Sequence, residues 1–259
     1  MNFERILDLK PNKLATFNIQ NIKIRLKLEE KVFLPHPDSL LLANSIKINP
    51  GEKVLDLGLG TGILAITAAK LGASKVFGTD TNSKAIKNSQ KNAILNNVSE
   101  KCVFAQGNFF EPFRNEKFDV IIANAPQIPG PGNEEKYFSQ ATNGGLDGTI
   151  PTIKILRSAA KHMNKGGRIY FPLKEWMDWK RVLKEAGHLY TCRKIAETFS
   201  PVWTKDKVRL HKISNLIKRG RARRHLINGK VYYKICVYEF DQFRSNTVSS
   251  TFLSSSSIL

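Results

Sequence analysis

Three short stretches of this 259-residue chain combine residue types and spacings that suit chemistry. The first is Asp56-Leu57-Gly58-Leu59-Gly60-Thr61-Gly62, which continues the apolar run Val54-Leu55. Closely spaced glycines let the backbone turn tightly and leave room for a ligand against the main chain. A helix starting at Gly62 would aim its free N–H groups at that ligand. The second is Asp80, ending the next apolar run 24 residues after Asp56, where a carboxylate can accept both hydroxyls of a ribose; Thr81 adjoins it. The third is Asn124-Ala125-Pro126-Gln127, which directly follows the strand-like run 118–123. In alternating α/β folds the carboxyl edge of the sheet is where ligands bind.

The glycine spacing narrows the ligand. A dinucleotide pyrophosphate wants Gly-x-Gly-x-x-Gly, but here the glycines fall at 58, 60 and 62, and Ile63 takes the place of the third. That closer spacing resembles the loop of class I S-adenosylmethionine (SAM)-dependent methyltransferases, whose ligand carries a carboxylate, an amine and a sulfonium instead. The resemblance implies SAM as cofactor, bound by Asp56, Gly58, Gly60, Thr61, Gly62, Asp80, Thr81, Asn108, Phe109 and Asn124. In that family an acidic residue after the third strand receives the adenine amino group. Asn108 stands there and can still accept through its carbonyl oxygen, while Phe109 packs either on the adenine or in the core.

Asn124-Ala125-Pro126-Gln127 resembles the Asn-Pro-Pro-Tyr motif of amino-methyltransferases. That group includes the release-factor glutamine methyltransferases and base-modifying enzymes of the methyltransferase-small-domain type. The resemblance implies a catalytic set of Asn124, Pro126 and Gln127. A conjugated nitrogen is a poor nucleophile because its lone pair is delocalised. An Asn oxygen and the backbone carbonyl that follows can accept both hydrogens of an –NH2 and aim the lone pair at a sulfonium methyl. Such positioning is worth roughly 7–11 kcal/mol. Ala125 replaces the first proline, and Gln127 replaces the aromatic whose stacking on a base is worth about 1–3 kcal/mol. Gln127 could instead hydrogen-bond the acceptor. Val32-Phe33-Leu34-Pro35-His36-Pro37-Asp38-Ser39 is similar to the family's pre-motif, and Asn143-Gly144-Gly145-Leu146-Asp147-Gly148 to its Gly-Gly-x-Asp-Gly turn. Pro129-Gly130-Pro131-Gly132-Asn133 suits a mobile acceptor loop. The similarity covers about residues 30–190. Only some 30 residues precede it, too few for the helical substrate domain of the glutamine enzymes.

The elements that must position these residues alternate. Strands are predicted at 53–57, 75–80, 101–105, 118–123 and 168–171, with helices over 62–71, 82–95, 150–163 and 174–186. Ile86, Ala93 and Ile94 should face inward from the second helix, and Trp176, Trp179 and Leu183 from the fourth. The alternation predicts an α/β, doubly wound, mainly parallel seven-stranded Rossmann-like sheet with a C-terminal β-hairpin and a short N-terminal β extension. That extension is a strand or hairpin within 19–34, followed by a short helix that Asp38-Ser39 would cap. Residues 189–199 read as a further strand and 206–218 as a basic helix. Asn228-Gly229 is a two-residue hairpin turn between 221–227 and 231–240.

Four regions follow: an extension at 1–48, a SAM-binding core at 49–200, a basic helix and closing hairpin at 201–243, and a disordered Ser/Thr-rich tail at 244–259. The chain has no apolar run of the length a spanning helix needs and no signal-peptide core at its start, so a cytoplasmic protein that spans no membrane is expected. Three scattered cysteines suit neither a disulfide framework nor a zinc site. Residues 201–259 hold 12 Lys/Arg against 3 Asp/Glu, out of a net charge of +19. Arg221, Arg223 and Arg224 either grip phosphate or guard a sheet edge against strand addition.

The sequence therefore reads as a methyltransferase acting on a nitrogen of a nucleic acid or of a protein side chain such as a glutamine-like amide. A small-molecule acceptor remains open, favoured by Gln127, as does a nucleic-acid-binding protein with a vestigial SAM site. Nitrogen, oxygen and sulfur all stay possible as the attacking atom. A dehydrogenase is disfavoured by Ile63. His36, between two prolines, either shuttles a proton or is an ordinary loop residue.

Overall fold

The computed structural model describes residues 6, 8–129, 143–201, 214–215, 217–218, 220, 223 and 225–242. Arg221, Arg224, most of the expected basic helix, the tail and the loop from Gly130 onward lie outside the described residues.

Short Val/Ile/Leu-rich runs form the parallel strands β3 (Lys53–Leu57), β4 (Lys75–Asp80), β5 (Cys102–Gln106) and β6 (Phe118–Ala123). They continue into β7 (Met163–Lys174), and then β8 (Tyr190–Pro201), β9 (His225–Ile227) and β10 (Lys230–Gln242) complete the sheet. Its order is β5-β4-β3-β6-β7-β10-β8, with β9 paired to β10. Pairing is parallel from β5 through β7 and antiparallel around β10. The expected hairpin is present, and Asn228 and Gly229 turn it with φ of 50° and 74°. This is a mixed α/β fold with a mainly parallel central sheet. From β3 the chain winds outward to β4 and β5, and from β6 it winds the other way. The switch point between β3 and β6 is where a ligand crevice opens in such sheets.

Both faces of the sheet are covered, as buried parallel strands require. Leu55, Leu57, Ile121, Ala123 and Phe171 pack under α4 (Ile150–Ala159) and α5 (Trp179–Ala186). Val54, Val120, Ile122 and Tyr170 pack toward α1 (Pro37–Ser45), α2 (Ile63–Lys70) and an N-terminal hairpin. That hairpin, β1 (Leu14–Ile19) and β2 (Ile22–Lys27), is a separate two-stranded sheet. Its open edge is closed by side chains of α3 (Ser83–Leu95) and the residue capping it. Asn92 accepts the Lys27 N–H at 2.8 Å, Asn96 accepts the Arg25 N–H at 3.0 Å, and Asn88 donates to the Lys27 carbonyl at 2.9 Å. Asparagines four apart share one helix face and here take the place of a third strand.

Several expectations are corrected. Ile94 is 63% exposed, because only Ile86 and Ala93 of the expected trio face the core. The helix predicted from 174 begins at Trp179: Lys174 is still paired in the sheet, and the Asp178 carboxylate caps the helix by accepting the Arg181 N–H at 3.1 Å. Trp176 is therefore a buried residue of the connecting turn, while Trp179 is 37% exposed. α4 ends at Ala159 and not at 163, since Met163 already pairs with Phe118. β7 then bulges before Arg168 meets Val120, with Gly166 at φ 77°. α1 starts at Pro37 with His36 as its cap and no side-chain cap bond. Asp38 is buried and holds the Lys174 ammonium at 2.5 Å. Among the described residues no helix is long and apolar enough to cross a membrane, and no group of three or more metal-ligating side chains occurs.

Candidate active site

The cofactor loop leaves β3 at Leu57 and reaches α2 through Gly58, Gly60 and Gly62, whose φ values are 87°, 51° and 81°. All three lie in the left-handed region that L side chains enter only at a cost. Gly62 is doubly constrained, because a Cβ there would sit 3.0 Å from Ser89. The loop's carbonyls point backward. Ser89 Oγ donates to Gly60 O at 3.1 Å, and Asn92 Nδ2 donates to Thr61 O at 3.0 Å.

A cavity of about 520 Å³ opens over this loop at the switch point. Its volume lies within the range of small-molecule sites, roughly 300–1,000 Å³. Gly58, Gly60, Thr61, Asp80, Thr81, Asn108, Phe109, Asn124 and Pro126 all line it, so the chain brings together most of the residues expected from sequence. Asp80 Oδ2 accepts the Gly60 N–H at 3.0 Å and Oδ1 accepts the Asn82 N–H at 2.9 Å. Burial nonetheless holds its carboxyl above the usual carboxylate range. Phe109 takes φ 46°, and Thr79 Oγ1 donates to its carbonyl at 2.9 Å, which fixes the turn beside Asn108.

Three expected residues do not line the cavity. Gly62 is the hinge into α2. Asp56 is fully buried beneath the loop, where Oδ2 accepts the Ala65 N–H at 3.0 Å and Oδ1 has no partner. Burial, reinforced by the Asp80 charge and opposed by the Ala65 bond, pushes its carboxyl up to about 8. Gln127 is 1% exposed and does not line the cavity. Its Nε2 donates to the Pro172 carbonyl at 2.6 Å and its Oε1 accepts the Lys174 N–H at 3.1 Å. Both ends of the amide are thus committed to the end of β7, and the residue anchors the motif where a direct acceptor contact was expected.

Asn124 is placed differently. Its Nδ2 donates to Ser39 Oγ at 3.0 Å, whereas its Oδ1 is buried without a partner. The following segment is held by the glycine turn at 143–148. Gly144 N–H donates to Ile128 O at 2.9 Å, and a Cβ on Gly148 would lie 2.5 Å from the Gln127 carbonyl. Asn143 and Pro151 close the cavity on that side. Sequence reasoning missed Ser39, Ser89 and Asn92 as parts of the site. Ser89 and Asn92 face the glycine loop only through contacts across the chain, 29 and 31 residues from Gly60 and Thr61. Arg223 is exposed, and His36 stacks on Phe33 with centroids 4.9 Å apart.

The donor set fits SAM: a glycine loop stripped of Cβ atoms, a ribose-ready carboxylate at the next strand end, and Asn108 beside a turn-fixed aromatic. Known proteins agree. A family model described as ribosomal protein L11 methyltransferase (PrmA) matches residues 39–126. A relative from Methanocaldococcus jannaschii, named as a candidate protein N5-glutamine methyltransferase, is 37% identical over 146 residues, 56% of this chain and 73% of the relative. A release factor glutamine methyltransferase of Thermodesulfovibrio yellowstonii is 30% identical over 186 residues, 66% of each chain. Among solved structures, a Thermus thermophilus 16S rRNA N2 G1207 methyltransferase in complex with AdoMet and guanosine superposes with a TM-score of 0.57. At 16% identity, over 89% of this chain and 50% of that one, it shows a shared fold.

Proposed function

We propose, from a chain that belongs to the SAM-dependent methyltransferase family of the protein N5-glutamine methyltransferases, that it methylates the side-chain amide nitrogen of a glutamine in a protein. SAM is its cofactor and supplies, when bound, an electrophilic methyl group on a sulfonium. Asp80 is the residue to take the ribose hydroxyls, Asn108 and Phe109 the adenine, and the N–H groups of the loop from Gly58 the amino-acid end.

The observation that carries the acceptor assignment is Asn124, which lines the cavity and whose side-chain Oδ1 is buried without a partner. A buried acceptor left unpaired costs about 1–3 kcal/mol, and an amide N–H from the acceptor would remove that cost. Asn124 Oδ1 and the backbone carbonyl of Ala125 would receive the two amide hydrogens. Held this way, the nitrogen lone pair is turned toward the reacting methyl and cannot rotate into other contacts. As positive charge builds on the nitrogen, the hydrogen on Asn124 Oδ1 bonds more strongly, so the contact favours the transition state over the ground state. The proton then leaves to water, and no strong base is required.

The excess basic charge supports one addition to this reading: the protein acceptor belongs to a ribonucleoprotein, with Arg221, Arg223 and Arg224 contacting phosphate. Transfer of tritium from SAM into a cell lysate tests both parts. Label should enter material that protease removes and ribonuclease spares, and labelling should fall steeply with salt. Label that ribonuclease removes would place the methyl on RNA and overturn the amide reading.

A further inference from the structure

We infer that the turn at 143–148 presents Leu146, with Ile150 of α4 beside it, as an apolar docking patch for the methyl-acceptor protein: an apolar side chain a few residues from the target glutamine rests there while the glutamine enters the cavity. The inference rests on the amide reading above and deepens it by naming what recognises the acceptor outside the reacting group.

Among the described residues Leu146 is the most exposed large hydrophobic side chain, at 77%, and Ile150, four positions on, is 56% exposed. Single apolar residues on a surface are ordinary, so what matters is how these two are held. A Cβ at Gly145 would stand 2.3 Å from Ile150 Cδ1, so the Ile150 side chain lies over the residue that precedes Leu146. The Gly144 N–H donates to the Ile128 carbonyl at 2.9 Å, and the Ile150 N–H donates to the Gly144 carbonyl at 3.0 Å. On the other side of Leu146, Asp147 Oδ1 accepts the Thr149 N–H at 3.0 Å and the Thr149 hydroxyl at 2.7 Å, while Oδ2 pairs with Arg181 at 2.5 Å. The Asp147 carbonyl also accepts the Asp178 N–H at 3.0 Å. The backbone is fastened on both sides of Leu146 while its side chain stands in solvent. A partner covering such a side chain has little backbone to order, which favours binding.

The position of the patch selects its occupant. Asn143 and Pro151, which bracket it in sequence, line the same cavity as Asn124 and Pro126. The turn is also seated on the acceptor motif itself, since a Cβ at Gly148 would lie 2.5 Å from the Gln127 carbonyl. None of the residues assigned to SAM belongs to this turn. A free glutamine has nothing to place on Leu146, whereas a glutamine within a protein arrives with neighbours. An extended chain advances roughly 3.3 Å per residue, so a side chain about two to four positions away reaches the rim of the cavity. That side chain is apolar, because Leu146 and Ile150 offer no polar side-chain group, and covering a leucine is worth roughly tenfold in affinity.

Tritium transfer from SAM by the full chain tests the docking with two kinds of probe. One is N-acetylglutaminamide; the other is a set of short peptides with a central glutamine and a leucine or a serine at each flanking position in turn. With the wild type, leucine about two to four positions from the glutamine should raise kcat/KM roughly tenfold over serine, through KM. Leu146→Ser should remove that preference and Leu146→Met should keep it, while N-acetylglutaminamide is methylated equally by all three. A wild type indifferent to leucine, or a Leu146→Ser chain that slows on N-acetylglutaminamide as much as on the peptides, would overturn the inference. Thermal unfolding is the second measurement. An exposed Leu146 predicts an unchanged melting temperature for Leu146→Ser, and a marked fall would show the patch already covered by the chain itself and overturn the docking. If the wild type labels no amide at all, the amide reading falls alone and lysate protein decides the docking. Leu146→Ser should then need roughly tenfold more lysate for half-maximal labelling of protein. Equal labelling by both chains at every concentration, or label only in material that ribonuclease removes, would overturn it.

Discussion

Gly60 donates its backbone N–H to Asp80 Oδ2 at 3.0 Å, so the cofactor loop after β3 and the carboxylate at the end of β4 are joined directly. Asp80 holds the loop and, under the proposed function, also receives the ribose, so its replacement should show in binding before anything else. Hydrogen bonds to a charged group contribute about 1.5–3 kcal/mol. Asp80→Ala should therefore weaken SAM binding by roughly 10- to 150-fold in calorimetric titration, with Asp80→Asn between it and the wild type.

The α3 asparagines couple the N-terminal hairpin to the same loop. Asn92 is fully buried and serves Lys27 and Thr61 together, donating to their carbonyls at 3.2 and 3.0 Å. Asn92→Ala leaves buried backbone groups unpaired, at about 1–3 kcal/mol each. Thermal unfolding should shift down by roughly 2–4 °C for every kcal/mol lost in a chain of this size. SAM affinity should fall as well, because the Thr61 carbonyl loses its tether. A variant with normal melting and weak SAM binding would separate the two roles and contradict the coupling.

Asp56 gives the stability a pH dependence of its own. Burial and the neighbouring Asp80 charge raise its carboxyl to about 8 in the folded chain. An unfolded Asp titrates near 3.9. The folded state binds this proton more tightly, so the group's contribution is fully present below about pH 4 and is lost as the pH rises through about 8. Asp56→Asn removes the ionisation while keeping an oxygen for the Ala65 N–H. Its melting temperature relative to the wild type should climb from pH 4 to 8 and then level off. A constant difference across that range would show that Asp56 ionises normally.

Two tryptophans three residues apart should behave in opposite ways. Trp176 is 3% exposed and packs against Tyr233 with ring centroids 4.2 Å apart and planes tilted by 38°, whereas Trp179 is 37% exposed on α5. Trp176→Ala should cost about 3–5 kcal/mol in denaturant unfolding. Trp179→Ala should stay within about 0.5 kcal/mol of the wild type.

The strand-helix alternation and the cofactor loop were readable from sequence because each is local: glycine spacing, a carboxylate at a strand end and an apolar period all lie within a few residues. Helix faces failed where tertiary context overrode the period, as at Ile94 and Trp179. The Lys174 strand end gave no local sign that it continued to pair with Ile235, and that hid the true start of α5. Gln127 was misjudged for a different reason. Its residue type suits a substrate contact and a structural clamp equally, and only its burial beside Pro172 and Lys174 decides between them. Ser39 and Asn92 could not be found from spacing, since their partners lie 85 and 31 residues away in the chain.

The central claim is that Asn124 Oδ1 receives an amide hydrogen of a protein glutamine. Fragment mass spectrometry of protein methylated by the wild-type chain measures it most directly, repeated with Asn124→Ala at matched SAM occupancy. The account predicts one methyl group on a glutamine side chain and a loss of rate approaching the roughly 7–11 kcal/mol attributed to positioning, with SAM still bound. A methyl group on any other atom, or undiminished methylation by Asn124→Ala, would contradict it.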